Sequence, residues 1–218
     1  PLVREAYKNP VKTINTNIMG LTKFLNFIRE VRSVKLILTV TSDKVYDNVE
    51  WVWGYRETDR LGGKDPYSAS KGMAELAIRS YLESFYNSSE SNVRIGIARA
   101  GNVIGGGDWA TDRIVPDCIR AWSNEDIVDI RNPSATRPWQ HVLEPLSGYL
   151  RLGEYMELDN IINGESFNFG PSSYNTKSVR DLVLEMEKYW GGANHNTFIK
   201  KEETMKEANL LKLNCEKV

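Results

Sequence analysis

Two short apolar runs, separated by a long helical pattern, constrain the fold of this chain more than any other feature. The runs VKLILTVTS (34–42) and VRIGIARA (93–100) are rich in β-branched residues and short enough to be buried parallel strands. Helical patterns alternate with these runs along the chain, as they do in a parallel sheet whose strands are joined by crossover helices. The sequence therefore predicts an α/β fold.

Apolar residues at three- and four-residue spacing predict the helices. The first helix covers 11–31, and its apolar stripe is Ile14, Ile18, Leu21, Leu25 and Ile28. The second covers 66–86, and its predicted apolar side is Ala74, Leu76, Ala77, Tyr81, Leu82 and Phe85. The remaining elements are helices at 112–122, 142–155 and 179–190 and short strands at 127–130 and 166–169. The shorter and less regular elements of this C-terminal third predict a smaller α+β lobe.

Composition excludes several classes of function. The chain has 28 Lys and Arg against 29 Asp and Glu, so no basic surplus is present to bind nucleic acid. Two cysteines and two histidines are too few for a disulfide framework, a CxxC zinc site or a His-rich metal site. No apolar run approaches the ~20 residues that span a bilayer. We therefore expect a cytoplasmic protein without a metal, a nucleic-acid partner or a membrane segment.

Ligands of open parallel sheets bind beyond the carboxyl ends of the strands, where TSDK (41–44) and RAGN (99–102) lie. Ser42 could hydrogen-bond a substrate hydroxyl, while Asp43 and Lys44 offer an acid and a base. The alternative is a capping or turn-forming Ser-Asp pair with a solvated lysine. All three side chains can face one ligand only if the strand breaks into a turn, because alternate residues of a strand point to opposite sides.

The segment YSASK places Tyr67 and Lys71 four residues apart at a helix start, and therefore on one helix face. A nearby ammonium favours phenolate, but lowering the pKa of a tyrosine from ~10 to ~7 needs about 4 kcal/mol. Lys71 together with a cationic nicotinamide could supply that amount, and Tyr67 would then be a general base for a hydroxyl. The alternative is an ordinary surface pair.

Two glycine-rich segments do not form nucleotide-binding motifs. Neither GNVIGGGD (101–108) nor LGGKDP (61–66) fits G-x-G-x-x-G or a P-loop, and the chain contains no dinucleotide fingerprint. The ordinary interpretation is loops that need positive φ.

Four segments together carry a family resemblance: VTSDKVYDN, GGKDPYSASKGMAEL, RAGNVIGGGDWATDRIVPDCIRA and RNPSATRPWQHVLEPLSGYL. They resemble the extended short-chain dehydrogenase/reductase family, and within it the sugar-nucleotide 4,6-dehydratases. The resemblance implies a doubly wound, Rossmann-like sheet that binds NAD. Its first βαβ unit is missing here, so we expect about 80–100 residues before Pro1, and the C-terminus also stops early. It further implies catalytic residues in 1–110 and a sugar-nucleotide-binding lobe, partly returning to the sheet, in 111–218.

The resemblance also implies a reaction on CDP-glucose. Tyr67 would take the proton of the 4-hydroxyl while hydride leaves carbon 4 for NAD, and Lys71 would hold the nicotinamide ribose. Asp43 would protonate the leaving 6-hydroxyl and Lys44 would be the base at carbon 5, with Ser42 beside them. Hydride then returns to carbon 6. As a base, Lys44 must be neutral, hence desolvated or near another cation.

Further roles follow from the same resemblance. Asn102, Arg113 and Arg137 would bind the sugar nucleotide, and the full-length protein would be a homo-oligomer, a dimer or a dimer of dimers. Arg99, His141 and Asn17 are assigned structural roles. Two alternatives stay open: an epimerase or decarboxylase of the same fold, which needs no acid–base pair for losing water, and a non-catalytic fragment that lacks cofactor affinity.

Overall fold

A computed structural model of the protein describes residues 2–87, 91–158, 161–172, 176–191 and 209–218. Its main sheet is parallel and has the order β1-β2-β6, formed by Leu36–Val40, Arg94–Ala100 and Ser166–Phe169. Two small sheets accompany it: β3 (Val103–Ile104) pairs with β5 (Gln140–His141), and β4 (Thr136–Arg137) pairs with β7 (Lys177–Ser178). The predicted α/β class with a parallel sheet is confirmed.

Seven α-helices in the described ranges surround these strands: α1 Val3–Lys8, α2 Pro10–Ile14, α3 Gly20–Ile28, α4 Pro66–Tyr81, α5 Ile114–Ser123, α6 Leu143–Leu158 and α7 Val179–Trp190. A π-helical turn, Asn15–Met19, joins α2 to α3, and another, Leu82–Tyr86, extends α4. None of the helices in those ranges combines the length and apolar character needed to cross a membrane.

Helices cover both faces of the main sheet. In β2, Ile95 and Ile97 pack on one face with α3 and α4, whereas Ala98 packs on the other face with α6. This alternation follows from the two-residue period of a strand. Because β6 lies beyond residue 110, the C-terminal part of the chain does return to the sheet. The division at residue 110 itself stays a prediction.

Two details of the predicted elements are wrong. No strand forms at 127–130; Val128 and Ile130 are buried instead against Cys118, Trp122 and Val183 of α5 and α7. Their apolar character reflects packing against helices rather than strand pairing. The helix at 66–86 also buries a different row, because Leu76 is 56% exposed and Phe85 38% exposed. The buried row has four-residue spacing and, with the π-helical turn, ends at Tyr86: Ala74, Ile78, Leu82 and Tyr86.

A buried ion pair lies between β2 and α4. Arg99 and Glu75 are both 0% exposed, and Arg99 Nη2 lies 2.5 Å from Glu75 Oε2. Arg99 also donates to the Tyr46 hydroxyl at 2.8 Å and to the Glu57 carbonyl at 3.0 Å. Every charge in this cluster therefore has a hydrogen-bonding partner, as burial requires.

Removing one partner of the ion pair should destabilise the protein strongly. Arg99→Met leaves the Glu75 carboxylate buried without its counter-charge, so the free energy of unfolding should fall by about 3–5 kcal/mol. Arg99→Met combined with Glu75→Leu should recover most of that loss, because no uncompensated charge remains. Urea denaturation of both variants measures the difference. An equal loss in both variants would contradict this account.

Candidate active site

The carboxyl ends of β1 and β2 meet at a cleft of about 600 Å³. The cleft is lined by seven of the eight predicted site residues: Ser42, Asp43, Lys44, Tyr67, Asn102, Arg113 and Arg137. The eighth, Lys71, lies one turn beyond Tyr67 on α4 and is outside the set of described residues that line the cleft. The structure therefore brings together side chains from the sheet, from α4 and from the C-terminal part of the chain.

The TSDK segment leaves the strand as a tight turn. Ser42 is extended, with φ −170° and ψ 159°, and a 3₁₀ turn follows at Asp43–Val45. The Ser42 hydroxyl accepts from the Lys44 N–H at 3.2 Å and donates to Asp43 Oδ1 at 2.9 Å. The strand thus breaks where it must for all three side chains to face one cleft, and the capping function and the cleft position of Ser42 coexist.

Asp43 is the most deeply buried carboxyl of the cleft. It is 3% exposed, and its Oδ2 has no hydrogen-bonding partner among the described residues. Burial raises the pKa of Asp43 above its ordinary value, although the charge of Lys44, the Ser42 hydroxyl and the charge of Arg137 lower it in part. A carboxyl held in its protonated form can donate a proton, which is the property of a general acid.

Tyr67 is positioned by the first turn of α4. Asp65 caps this helix, its Oδ1 accepting from the Tyr67 N–H at 2.9 Å and the Ser68 N–H at 3.0 Å, and Pro66 occupies the first position. Burial raises the pKa of Tyr67, while a hydrogen bond with the Ser42 side chain and the charge of Arg113 lower it. Arg113 is the cation with the largest lowering effect on this pKa, and the net effect of the protein's own groups is a rise.

Lys71 is half-buried on α4. Burial lowers the pKa of Lys71, and the negative charge of Glu75 one turn further along raises it again. Tyr67 and Lys71 share one helix face, and a hydroxyl and an ammonium are groups suited to binding the two hydroxyls of a ribose. Val40, 48% exposed at the end of β1, adds an apolar surface to the cleft. This donor set fits the nicotinamide ribose of a dinucleotide.

The three predicted substrate-binding residues line the same cleft. Arg137 is 8% exposed and donates from Nη1 to the Thr136 carbonyl at 2.8 Å. Arg113 lies at the start of α5 with its Nε 3.6 Å from Asp108 Oδ2, and Asn102 lies two residues beyond the end of β2. Their charges and amide suit a diphosphate.

The two glycine-rich segments require glycine for different structural reasons. Gly107 adopts φ +84°, the left-handed region that favours glycine, as predicted for the loop. Gly63 has no positive φ; a Cβ there would lie 2.2 Å from the backbone nitrogen of Ala69 in α4. Close approach of the loop to α4, rather than the predicted positive φ, therefore requires glycine at position 63.

The residues assigned structural roles differ in their surroundings. Arg99 is fully buried in the ion pair with Glu75. Asn17 donates from Nδ2 to the Ser70 hydroxyl at 2.8 Å and so links the first helical segment to α4. His141 is exposed and its Nδ1 accepts from the Leu143 N–H at 3.3 Å, so it caps α6 rather than packing behind an aromatic ring.

The sequence did not single out Thr41 and Glu75, which contact each other next to the site. The Thr41 hydroxyl donates to Glu75 Oε1 at 2.6 Å, immediately before the Ser42 turn. The signal was available in part, since Arg99 is a charge inside an apolar strand and needs an opposite charge from a neighbouring element. Which acidic residue would meet it could not be derived from helix or strand spacing.

Comparison with known proteins identifies the family. Residues 2–214 match the family of GDP-mannose 4,6 dehydratases. The chain belongs to this family. CDP-glucose 4,6-dehydratase of Salmonella typhimurium is 46% identical over 220 residues, which cover 100% of this chain and 61% of that relative. The chain thus spans about three fifths of that relative's length.

Solved structures share the fold. The dTDP-glucose 4,6-dehydratase from Streptomyces venezuelae, with NAD bound, has a TM-score of 0.81 at 18% identity, over 100% of this chain and 62% of that chain. The UDP-glucuronic acid 4-epimerase from Bacillus cereus, in complex with UDP-glucuronic acid and NAD, has a TM-score of 0.80 at 20% identity, over 100% of this chain and 64% of that chain. The predicted Rossmann-like fold class is confirmed.

The raised pKa of Asp43 predicts a pH-dependent gain in stability for Asp43→Asn. The folded protein binds this proton more tightly than the unfolded chain, so Asp43 contributes stability at low pH that is lost as pH rises through the raised pKa. An amide has no such penalty. Asp43→Asn should therefore raise the melting temperature at about pH 7, and the gain should vanish near the ordinary pKa of about 4.

Thermal melts across this pH range provide the measurement. The matched control is Asp126→Asn, because Asp126 is exposed. A melting temperature of Asp43→Asn that stays at or below that of the parent protein at every pH would refute the buried-acid assignment.

Proposed function

We propose that the protein carrying this chain is an NAD-dependent hydro-lyase that converts CDP-D-glucose to CDP-4-keto-6-deoxy-D-glucose in deoxysugar biosynthesis. One observation carries the proposal: the buried Asp43 carboxyl faces the same cleft as Tyr67. Oxidation of a hydroxyl needs only a base, whereas loss of water also needs a proton donor for the leaving hydroxyl. The 46% identity to the Salmonella CDP-glucose 4,6-dehydratase supports the choice of substrate.

Tyr67 removes the proton of the sugar 4-hydroxyl in this proposal. Its pKa is raised by burial, so the phenolate must be favoured by the positive charges around it, Arg113 on the cleft side and Lys71 on the helix side. Tyr67 and Lys71 would also hold the nicotinamide ribose. When bound, NAD supplies the hydride acceptor for carbon 4 and returns the hydride to carbon 6.

Asp43 and Lys44 carry out the loss of water. The 4-keto group makes the proton at carbon 5 acidic, Lys44 removes that proton, and Asp43 protonates the departing 6-hydroxyl. Burial raises the pKa of Asp43, which favours the protonated form that this step needs.

Asn102, Arg113 and Arg137 bind the diphosphate of the sugar nucleotide. Arg137 is close enough to Asp43 for its charge to lower the pKa of that carboxyl. Binding of a diphosphate dianion by Arg137 would offset that charge and raise the pKa of Asp43 further. The substrate would thus assist protonation of its own catalytic acid.

Two other functions fit this cleft less well. An epimerase or decarboxylase of this fold would use Tyr67 and Lys71 but has no use for a buried carboxyl in the cleft whose Oδ2 has no hydrogen-bonding partner among the described residues. A non-catalytic fragment would not need a cleft that holds both the proposed acid–base residues and the proposed diphosphate-binding residues. The position of Asp43 therefore favours the dehydratase.

We also infer a cytoplasmic location and a homo-oligomeric state. Exposed aromatic residues of α3 support self-association, since Phe24 is 48% and Phe27 62% exposed. Exposed aromatic side chains three residues apart on one helix face are typical of interfaces between subunits. The dimer, or dimer of dimers, stays a prediction.

Tyr67→Phe tests the base. In the full-length protein this change should lower the rate of oxidation at carbon 4 by ~10²–10⁴ while leaving CDP-glucose binding nearly unchanged, because only one hydroxyl is removed. Single-turnover kinetics and calorimetric titration measure the two quantities. Activity within a few-fold of the parent protein would remove Tyr67 from the mechanism.

Lys44→Met and Asp43→Asn separate the base from the acid. Both variants should oxidise carbon 4 and then stop, so that the 4-keto sugar nucleotide accumulates. In deuterated water Asp43→Asn should still exchange the proton at carbon 5, because its base is intact, whereas Lys44→Met should not. Mass spectrometry of the accumulated sugar nucleotide reads the exchange.

Normal turnover of Lys44→Met to the 4-keto-6-deoxy product would exclude Lys44 as the base. A purified parent protein that inverts carbon 4 without losing water would exclude the dehydratase and favour the epimerase.

A further inference from the structure

The Glu75 carboxylate joins three elements that carry the active site. Its Oε1 accepts from the Thr41 hydroxyl at 2.6 Å and from Arg99 Nε at 2.9 Å. Its Oε2 accepts from Arg99 Nη2 at 2.5 Å and from Nε at 3.1 Å. One carboxylate on α4 thus contacts the end of β1 through Thr41 and the end of β2 through Arg99.

Stability alone does not explain a charge at this place. Two opposite charges in a low-dielectric interior recover their desolvation cost only in good geometry, and apolar residues of similar volume are often as stable. What apolar side chains lack is direction, whereas an ion pair with several hydrogen bonds fixes the relative positions of its partners. Glu75 and Arg99 are therefore suited to setting the position of α4 against the two strand ends.

Thr41 connects the Glu75–Arg99 ion pair to the turn of Ser42, Asp43 and Lys44. Its N–H donates to the Ala98 carbonyl at 2.8 Å, and its hydroxyl provides a second attachment through Glu75. The next residue is Ser42, which begins the turn that carries Asp43 and Lys44. With both attachments in place, the backbone enters this turn in one orientation.

Glu75 also links the TSDK turn to α4, the helix that carries Tyr67 and Lys71. It lies one helical turn beyond Lys71 and two turns beyond Tyr67 on the same face of α4. Its charge also favours the protonated form of Lys71, whose pKa burial lowers. Glu75 thus acts on both halves of the site.

We propose that Glu75 is a positioning residue of the active site: through the Thr41 hydroxyl it holds the turn of Ser42, Asp43 and Lys44 in place against Tyr67 and Lys71, with Arg99 as its counter-charge. The role in catalysis rests on the proposed function. The role in ordering the turn does not, since it concerns the geometry of the chain alone.

The experiment removes the hydroxyl and leaves the ion pair intact. Thr41→Val is nearly isosteric, and Glu75 keeps its hydrogen bonds to Arg99, so the variant should fold. Thr41→Ser restores the hydroxyl and should behave as the parent protein. The matched control is Thr39→Val, two residues earlier on β1, because the buried Thr39 hydroxyl has no hydrogen-bonding partner among the described residues.

In the full-length protein, Thr41→Val should lower kcat for oxidation at carbon 4 by about tenfold to a hundredfold, the cost of a small misplacement of reacting groups. KM for CDP-glucose should stay close to that of the parent protein, because Thr41→Val removes none of the side chains proposed to bind the diphosphate. Thr41→Ser and Thr39→Val should match the parent protein in both constants.

Hydrogen exchange gives a readout that needs no activity. The Lys44 and Val45 amides are bonded within the turn, to the Ser42 hydroxyl and the Ser42 carbonyl. Their exchange should be faster in Thr41→Val than in the parent protein and unchanged in Thr39→Val and Thr41→Ser.

The outcomes separate the two proposals. Turn exchange and kcat that are the same in Thr41→Val and Thr39→Val would overturn the positioning role while the proposed function stands. A lower melting temperature of Thr41→Val with normal kcat and normal exchange would also overturn it, because it would show stability only. A parent protein inactive on CDP-glucose would refute the proposed function, and the exchange measurement would still decide whether Glu75 orders the turn.

Discussion

The ion pair of Arg99 and Glu75 is the interaction on which the arrangement of this protein depends. It joins the central strand β2 to the helix that carries Tyr67 and Lys71, and both side chains are completely buried. The surrounding core of Ile78, Ile95 and Ile97 provides the free energy of folding through burial of apolar surface. The ion pair adds a directional constraint that such a core cannot supply, because apolar contacts tolerate small displacements.

The cleft forms at the edge of the main sheet where β1 and β2 end. Parallel β1 and β2 finish at the same edge of the sheet, so the TSDK turn and the segment after Ala100 form one wall. The other wall comes from α5 and from the segment that includes Arg137, which the small sheets attach to the rest of the chain. The proposed acid Asp43 and base Lys44 thus come from the end of β1, whereas Arg113 and Arg137 come from the C-terminal part of the chain.

Burial has opposite consequences for the two central residues of the site. It raises the pKa of Asp43 and of Tyr67 alike, because a low-dielectric environment disfavours both anions. For Asp43, the proposed acid, this is the useful direction, whereas for Tyr67, the proposed base, it is a cost. The charge of Arg113 lowers the pKa of Tyr67 and so offsets part of that cost.

The sequence by itself determined the local elements and the edge of the sheet where the site lies. The helix over 179–190 matches its prediction, and the start at Pro66 follows from the Asp65 cap, because caps and apolar periods depend on neighbours within a few residues. Only the tertiary structure decided that Val128 and Ile130 pack on helices and that Tyr86 replaces Phe85 in the core. Likewise, only the tertiary structure determined that Glu75 meets Arg99 and Thr41, and that Arg137 approaches Asp43. These contacts join segments far apart in the chain, so they depend on strand order and helix packing, which no local pattern encodes.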